Sequence, residues 1–126
     1  MTKNIAVDGC TLQFQSGGNG TITINPGQAS TKVKAYGKGV YKTLKFAISG
    51  YTGQAITVPG SGSGNGEITA SSQHVKVEGN AVFLEGDVSA SITINGQATS
   101  GTSTVPAQAV EIVKITNAGQ SKVKGA

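Results

Sequence analysis

Short runs in which apolar and polar residues alternate recur along the chain. Six such runs predict strands, at Thr21–Asn25, Thr31–Ala35, Gln54–Val58, His74–Glu78, Ser91–Asn95 and Val110–Ile115. A period of two with β-branched residues is the pattern of a strand that buries one face. Few windows carry a helical period, so the pattern predicts a single all-β domain over residues 1–126.

Asp-Gly and Asn-Gly dipeptides and glycine-rich segments occur between these runs. Four pairs are typical of tight hairpin turns: Asp8-Gly9, Asn19-Gly20, Asn65-Gly66 and Asn95-Gly96. Residues 60–66 have almost no side chains and are interpreted as a loop, either a flexible link or a place where backbones approach closely. Residues 98–106 are predicted to form a second, polar loop. The chain is thus expected to be a small, glycine-rich domain of short β-hairpins.

An internal repeat joins residues 30–41 and 72–83. Both segments carry Val-Lys-x-x-Gly-x-x-Val-aromatic, offset by 42 residues. A second echo links Ile-Thr-Ile-Asn-Pro-Gly-Gln at 22–28 with Ile-Thr-Ile-Asn-Gly-Gln at 92–97. Chance similarity among low-complexity strands is the alternative, but the pattern favours repeated strand–turn–strand units.

Composition narrows the class of protein. Glycine accounts for 19 of 126 residues, and charged residues make up 13%, about half the usual share. This charge content is too low for a charged disordered tail or a coiled coil. No apolar run is long enough for a transmembrane helix, and no Sec signal peptide is visible at the start. A single cysteine excludes an internal disulfide.

All ten basic residues are lysines, and five of them lie close together: Lys32, Lys34, Lys38, Lys42 and Lys45. We interpret this stretch as a solvated strand face whose lysines discourage edge-to-edge aggregation. Binding to nucleic acid is not expected, because arginine, the residue best suited to phosphate and guanine contacts, is absent.

The second copy of the repeat carries the most specific motif. Its sequence from 75 to 87, Val-Lys-Val-Glu-Gly-Asn-Ala-Val-Phe-Leu-Glu-Gly-Asp, resembles the signature hairpin of PAAR proteins, roughly Val-x-Val-Asn-Gly-x-Pro-Ala-Ala-Arg-x-Gly-Asp. The spacing matches without gaps, and apolar residues stand where Pro-Ala-Ala-Arg would be. The motif residues are Val75, Val77, Gly79, Ala81, Val82, Phe83, Leu84, Gly86 and Asp87.

This resemblance implies a fold and a function. PAAR proteins form a compact cone of hairpins with internal pseudo-threefold symmetry, which caps a trimeric central spike of the VgrG or phage-spike type. The chain is therefore expected to sharpen the tip of a phage tail, type VI secretion system or related injection particle and to meet the target cell envelope. It would be made in the bacterial cytoplasm and would reside at the tip of the virion tail or particle. The alternatives are another β-rich virion, baseplate or decoration protein, or a carbohydrate-binding β module, which the absence of tryptophan disfavours.

Neither a metal cofactor nor an enzyme activity is expected. PAAR tips commonly hold one zinc through histidine and cysteine, and a closed zinc site needs four ligands. The weak candidates here are His74 and Cys10, so a zinc or iron site is the less favoured alternative. One histidine without a matching nucleophile gives no catalytic pair, and turn aspartates such as Asp87 usually cap their own backbone.

Overall fold

The structure, a computed structural model, describes residues 3–15 and 18–125. Over these residues the chain forms strands and turns without a helix, which confirms the all-β prediction, and no helix there could cross a membrane. The strands are β1 (Lys3–Asn4), β2 (Thr11–Phe14), β3 (Asn19–Ile24), β4 (Ala29–Ala35), β5 (Lys38–Tyr41), β6 (Lys45–Thr52), β7 (Gly60–Glu67), β8 (Lys76–Val77), β9 (Asn80–Ala81), β10 (Ile92–Ser100), β11 (Ser103–Glu111), β12 (Val113–Asn117) and β13 (Lys124–Gly125).

The strands divide into one large sheet and several short pairs. Five antiparallel strands form the large sheet in the order β3-β6-β7-β10-β11. The remaining strands pair two by two, as β1 with β13, β2 with β12, β4 with β5 and β8 with β9. The expected short hairpins are present, but the large sheet also contains strands of eight and nine residues.

One face of the large sheet is buried. In β6, Phe46, Ile48 and Tyr51 are buried, and in β10 Ile92 and Ile94 are buried. In β10 the alternation predicted from the sequence sets which side chains point into the core. β6 was not predicted, and a register shift between Ile48 and Tyr51 interrupts its alternation. We call the cluster that these five side chains form with their buried neighbours the sheet core.

The glycine-rich segment 60–66 is a central strand, β7, so the flexible-link interpretation is wrong and the close-approach alternative is correct. A Cβ on Gly62 would lie 2.7 Å from the Cβ and from the backbone oxygen of Tyr51. A Cβ on Gly66 would lie 2.5 Å from Cδ1 of Ile92. Large side chains of the two neighbouring strands lie over β7, so only glycine fits beneath them.

The lack of space for a Cβ also explains why three predicted turns are instead parts of strands. Asn19-Gly20, Asn65-Gly66 and Asn95-Gly96 all lie inside strands. A Cβ on Gly20 would be 3.0 Å from Cα of Tyr51, and one on Gly96 would be 2.8 Å from Cγ2 of Ile56. Only Asp8-Gly9 forms a turn.

Other predicted boundaries also change. The run Gln54–Val58 is not a strand, because it makes a tight turn at Gln54 and places Ile56 in the sheet core. The predicted loop 98–106 instead lies mostly in the long β10–β11 hairpin, which turns between Ser100 and Ser103. The run predicted at 110–115 is divided between β11 and β12.

The outer edge of β11 is partly blocked. The Gln54 side chain donates to the Val110 carbonyl at 2.6 Å and accepts from the Val110 N–H at 3.1 Å. Four residues earlier, Pro106 has no N–H to offer on the same side. Both features remove backbone groups to which another strand could pair.

Candidate functional site

The segment that resembles the PAAR hairpin folds as a hairpin with a two-residue turn. Its strands, β8 and β9, pair directly across that turn. The turn residues Glu78 and Gly79 both have positive φ, 47° and 86°. This geometry matches the twist of the paired strands. The segment that resembles the PAAR hairpin therefore does form a hairpin, with its turn at Glu78 and Gly79. We call residues 72–83 the second hairpin.

Residues 30–41, the first copy of the repeat, form a hairpin of the same kind. Ala35 and Lys38 pair on either side of the turn. Between them Tyr36 and Gly37 have positive φ, 54° and 78°, and they align with the turn residues of the second hairpin. The sequence repeat is thus also a repeat in structure, and we call this copy the first hairpin.

A buried hydroxyl group holds the start of each hairpin. The N–H groups of Lys32 and Val33 donate to Oγ of Ser30, at 3.1 and 3.0 Å. In the second hairpin the N–H of Val75 donates to Oγ of Ser72 at 3.2 Å. Both serines are buried. The aligned serines satisfy backbone donors where the strand begins, which a buried backbone requires.

A third unit of this form begins near the end of the chain. The N–H groups of Lys122 and Val123 donate to Oε1 of Gln120, each at 2.7 Å. The carboxamide therefore takes the place that the Ser30 hydroxyl has in the first hairpin. The Gln120 Nε2 also donates to the carbonyl of Ile5 at 2.8 Å, which ties this segment to the beginning of the chain.

The second strand of the third unit lies at the beginning of the chain. β13 pairs with β1, and the N–H of Ile5 donates to the Val123 carbonyl at 3.1 Å. The corresponding bond in the second hairpin joins the N–H of Val82 to the Val75 carbonyl, at 3.2 Å. We call this unit, residues 120–125 with 3–6, the split hairpin.

Sequence analysis missed the split hairpin because its two strands lie at opposite ends of the chain. The available signal was Lys-Val-Lys at 122–124, which matches residues 32–34. The unit is complete only when β1 pairs with β13. These two strands are not neighbours along the chain, so the repeat is not visible as one continuous segment of sequence.

The three hairpins place aligned side chains in the same two clusters. One position of each second strand is buried in a small apolar cluster, here called the hairpin cluster: Ile5, Val40 and Val82. The next position is buried in the sheet core: Ala6, Tyr41 and Phe83. The second strands therefore separate the hairpin cluster from the sheet core.

Most apolar motif residues belong to these clusters. Val77, Val82 and Leu84 are buried in the hairpin cluster, and Val75 packs against it. Ala81 is half-buried beside the strand pairing. The motif residues thus act through packing.

Asp87 stabilises the turn at the end of the motif through hydrogen bonds. Its N–H donates to the Leu84 carbonyl at 3.0 Å around Gly86, which has a φ of 98°. Its Oδ2 accepts from the N–H groups of Leu84 and Ser71, at 2.9 and 3.1 Å, and Oδ1 accepts from the Ser71 hydroxyl. Asp87 is buried, and these bonds give it a structural role at the turn.

A matching turn follows the split hairpin. The N–H of Cys10 donates to the Val7 carbonyl at 3.0 Å around Gly9, whose φ is 96°. Burial, with a smaller effect from Asp8, raises the pKa of the Cys10 thiol to about 11. The thiol is therefore protonated at neutral pH and is a poor metal ligand or nucleophile.

Polar contacts join the hairpins to one another. The Ser30 hydroxyl donates to Oε2 of Glu78 at 2.6 Å, and Nζ of Lys42 lies 3.9 Å from the same oxygen. The Ser30 hydrogen bond has the largest effect on Glu78 and holds its pKa below the usual value. Burial opposes this with a smaller effect, and the charges of Lys42 and Lys32 lower the pKa by still smaller amounts. Nζ of Lys38 donates to the Gly119 carbonyl at 3.1 Å.

Backbone bonds also link the hairpins. The N–H of Glu85 donates to the Asn4 carbonyl at 2.8 Å, which joins the second hairpin to the split hairpin. The N–H of Asp8 donates to the Gly39 carbonyl at 2.9 Å, which joins the split hairpin to the first. Gly39 and Asn4 occupy aligned positions in their hairpins, so the two links are equivalent.

The structure does not assemble a metal site from the candidate ligands. His74 is exposed at the start of the second hairpin, whereas Cys10 is buried in the sheet core. Among residues 3–15 and 18–125, no group of three or more histidine, cysteine, aspartate or glutamate side chains is placed to hold a metal ion. That the protein works without a cofactor stays a prediction.

No family model, curated protein or solved structure matches this chain. The features that indicate a function are therefore the geometry of the three hairpins and the resemblance of residues 75–87 to the PAAR motif.

Proposed function

We propose that the chain is a PAAR-like tip protein, which caps and sharpens the central spike of a phage tail or related contractile injection apparatus. The observation that carries the proposal is the presence of three equivalent hairpins around one hairpin cluster. They support the pseudo-threefold cone that the PAAR resemblance implies.

Symmetry is the reason that such a unit suits a spike. A trimer ends in three equivalent sets of strand edges, and open edges invite further pairing and aggregation. One chain with three equivalent units can meet all three edges, whereas a cap without that symmetry leaves two unmatched. The expected stoichiometry is one chain for each spike trimer.

The mechanical role fits the interior of the hairpins. Ser30, Ser72 and Gln120 satisfy backbone donors, and the hairpin cluster fills the space between the strands. Satisfied backbone donors and dense packing rigidify a small domain. A rigid, narrow tip concentrates force on an envelope without any chemical step.

The hairpins are arranged head to tail around the hairpin cluster. The hydroxyl of Ser30, at the start of the first hairpin, donates to Glu78 in the turn of the second. The N–H of Asp8, which follows the split hairpin, donates to the carbonyl of Gly39 near the turn of the first. This cyclic order supports the pseudo-threefold symmetry that the PAAR resemblance implies.

Native mass spectrometry with the trimeric spike of the same apparatus tests the capping function. The expected species is one chain bound to one trimer. Three chains for each trimer would favour a decoration or baseplate protein, and the absence of any complex would refute capping.

A further inference from the structure

We propose that the outer edge of β3 pairs with β3 of a second copy of this chain, so that two large sheets join side by side in a symmetric dimer. β3 is an end strand of the large sheet and, over the described residues, pairs with β6 alone. It lies outside the three hairpins, so the dimer goes beyond the proposed capping function and does not rest on it.

The backbone of β3 offers unpaired hydrogen-bonding groups along its outer edge. The N–H of Asn25 donates to the Lys45 carbonyl at 3.0 Å, so the odd-numbered residues of β3 bond to β6. Successive residues of a strand direct their N–H and C=O groups to opposite sides, so those of Ile22 and Ile24 point away from β6. In the part of the chain that the structure describes, no backbone or side-chain group bonds to them.

The outer edge of β3 borders open space. Two concavities meet at Ile22, one lined by residues 18–20 and the other by residues 22–25. Because consecutive residues line them, the strand edge borders both concavities, rather than one face of the sheet. The facing walls include the apolar rings of Phe14 in one concavity and Tyr41 in the other. An extended strand would therefore find unpaired backbone groups and apolar contacts here.

The two end strands of the large sheet differ in the protection of their edges. On β11 the Gln54 side chain occupies the backbone groups of Val110, and Pro106 has no N–H. On β3 the residues from 21 to 24 include no proline and no lysine, and among the described residues no side chain bonds to their backbone. An edge without such protection is a template for another strand. Because β11 is partly blocked, pairing of β3 with β11 of another copy, which would continue into a fibre, is hindered, and closed pairing of β3 with itself is favoured.

A second copy suits this edge in charge and in side-chain pattern. Residues 11–31 contain no charged residue and no histidine, whereas the whole chain has a net charge of +4. Two copies of a cationic chain therefore meet with little repulsion along this segment. Ile22 and Ile24 are half-buried on the core side of β3, and Thr21 and Thr23 are exposed on its other face. A second β3 thus brings apolar side chains to the core side and polar ones to the exposed face.

A two-fold axis through Thr23, perpendicular to the sheet, gives the pairing. It makes the two strands antiparallel, places Ile22 of one chain opposite Ile24 of its partner, and keeps both apolar faces on the same side. Each isoleucine then finds a donor and an acceptor on the isoleucine opposite. Thr23 lies opposite its own copy, and threonine pairs of this kind stabilise antiparallel strands. An axis through Ile22 would instead use Gly20, which lies within the register shift at the start of β3.

Sedimentation equilibrium of the isolated chain over a range of concentrations tests the dimer. The wild type should pass from monomer to dimer as its concentration rises. Thr23→Lys places two lysines directly opposite each other across the axis and should raise the dissociation constant by about fivefold or more. Ala47→Lys is the matched control, because Ala47 is exposed and pairs with Thr23 from β6. Its two added charges would lie about 14 Å apart, across three strand spacings, and should change the dissociation constant by less than about twofold.

Disulfide cross-linking tests the register. In a Cys10→Ala background, Thr23→Cys places two thiols opposite each other at a separation that a disulfide can bridge, and an added thiol oxidant should link the chains. Thr21→Cys is the control on the same strand and face, but it lies opposite Asn25 of the partner and should not be linked. Equal linking of the two variants would indicate chance collision and overturn the register.

Hydrogen exchange followed by NMR tests the edge itself. The N–H groups of Ile22 and Ile24 should exchange more slowly in concentrated than in dilute solution. The N–H of Gln108, two residues before Val110 on the outer side of β11, should exchange at the same rate in both.

Three results would overturn the proposal. The first is a chain that stays monomeric at every concentration, and the second is an equal effect of Thr23→Lys and Ala47→Lys. The third is protection of Ile22 and Ile24 only when the spike is added, which would assign the edge to a strand of the spike. Thr23→Lys should still cap the spike at one chain for each trimer, so loss of the dimer and loss of capping are distinguishable.

Discussion

Two glycines in the large sheet and two in the hairpin turns are required for opposite reasons. In the sheet, Gly62 and Gly66 lie where a Cβ would collide with side chains of neighbouring strands, and their φ values are not positive. In the hairpins, Gly37 and Gly79 have positive φ, but a Cβ on either would meet nothing within 4 Å. Gly62 and Gly66 are therefore required for space, whereas Gly37 and Gly79 are required for backbone conformation. The same residue type marks the middle of a strand in one region and a turn in the other.

The largest effect is expected from Gly62→Val in β7. Its side chain would collide with the Cβ and the backbone oxygen of Tyr51, and overpacking of this kind costs about 3 kcal/mol or more. Urea unfolding should show a loss of that size, or the variant should fail to fold. Ser63→Val on the exposed face of the same strand is the control and should change stability by less than about 1 kcal/mol. A tolerated Gly62→Val would remove the steric explanation.

A smaller effect is expected from Gly79→Val in the second hairpin. With open space around the Cβ, the cost comes from a β-branched residue at positive φ, about 1 to 3 kcal/mol. Gly79→Asn should recover most of that loss, because asparagine tolerates this conformation. Lys38→Ala removes an exposed side chain of the first hairpin, with its hydrogen bond to the Gly119 carbonyl, and should change stability by less than about 0.5 kcal/mol. If asparagine costs as much as valine at position 79, crowding rather than conformation limits this turn.

Ser30→Ala measures the contribution of the buried hydroxyl. The variant leaves the N–H groups of Lys32 and Val33 without their acceptor, which should cost about 1 to 2 kcal/mol. Ser121→Ala changes an exposed serine near the split hairpin and should be close to neutral. Thermal unfolding of the two variants would separate the role of the hydroxyl from a general effect of losing serine.

The smallest predicted effect is the dependence of folding stability on pH that Glu78 causes. Its pKa in the folded chain lies below the ordinary value of 4.5, chiefly because of the Ser30 hydrogen bond. The stabilisation of the folded chain by the charged Glu78 carboxylate is therefore fully present above pH 4.5. It is lost as the pH falls through the lowered pKa. The difference in melting temperature between the wild type and Glu78→Gln should shrink as the pH falls below 4.5. A difference that is constant across this range would mean that the carboxylate charge does not matter.

Short sequence patterns correctly predicted those strands and turns whose formation depends on neighbouring residues in the chain. The alternation around Ile22 and Ile92 gave strands, and the repeat gave two hairpins whose turns at 36–37 and 78–79 have the same form. Two-residue turns depend on adjacent residues, so a sequence window contains the information that they need. The same local logic failed at Asn19-Gly20, Asn65-Gly66 and Asn95-Gly96, where the pair is typical of a turn but the neighbouring strands require a missing side chain.

The sequence by itself determined the all-β class, the alternation that buries Ile92 and Ile94, and the motif around Gly79. Only the tertiary structure decided that residues 60–66 are a central strand, because that role depends on Tyr51 and Ile92 from other strands. It also decided that the two ends of the chain complete a third hairpin, through the pairing of β1 with β13. Contacts between residues far apart in the chain carry no mark in a local window, and these contacts bring the three hairpins around one cluster.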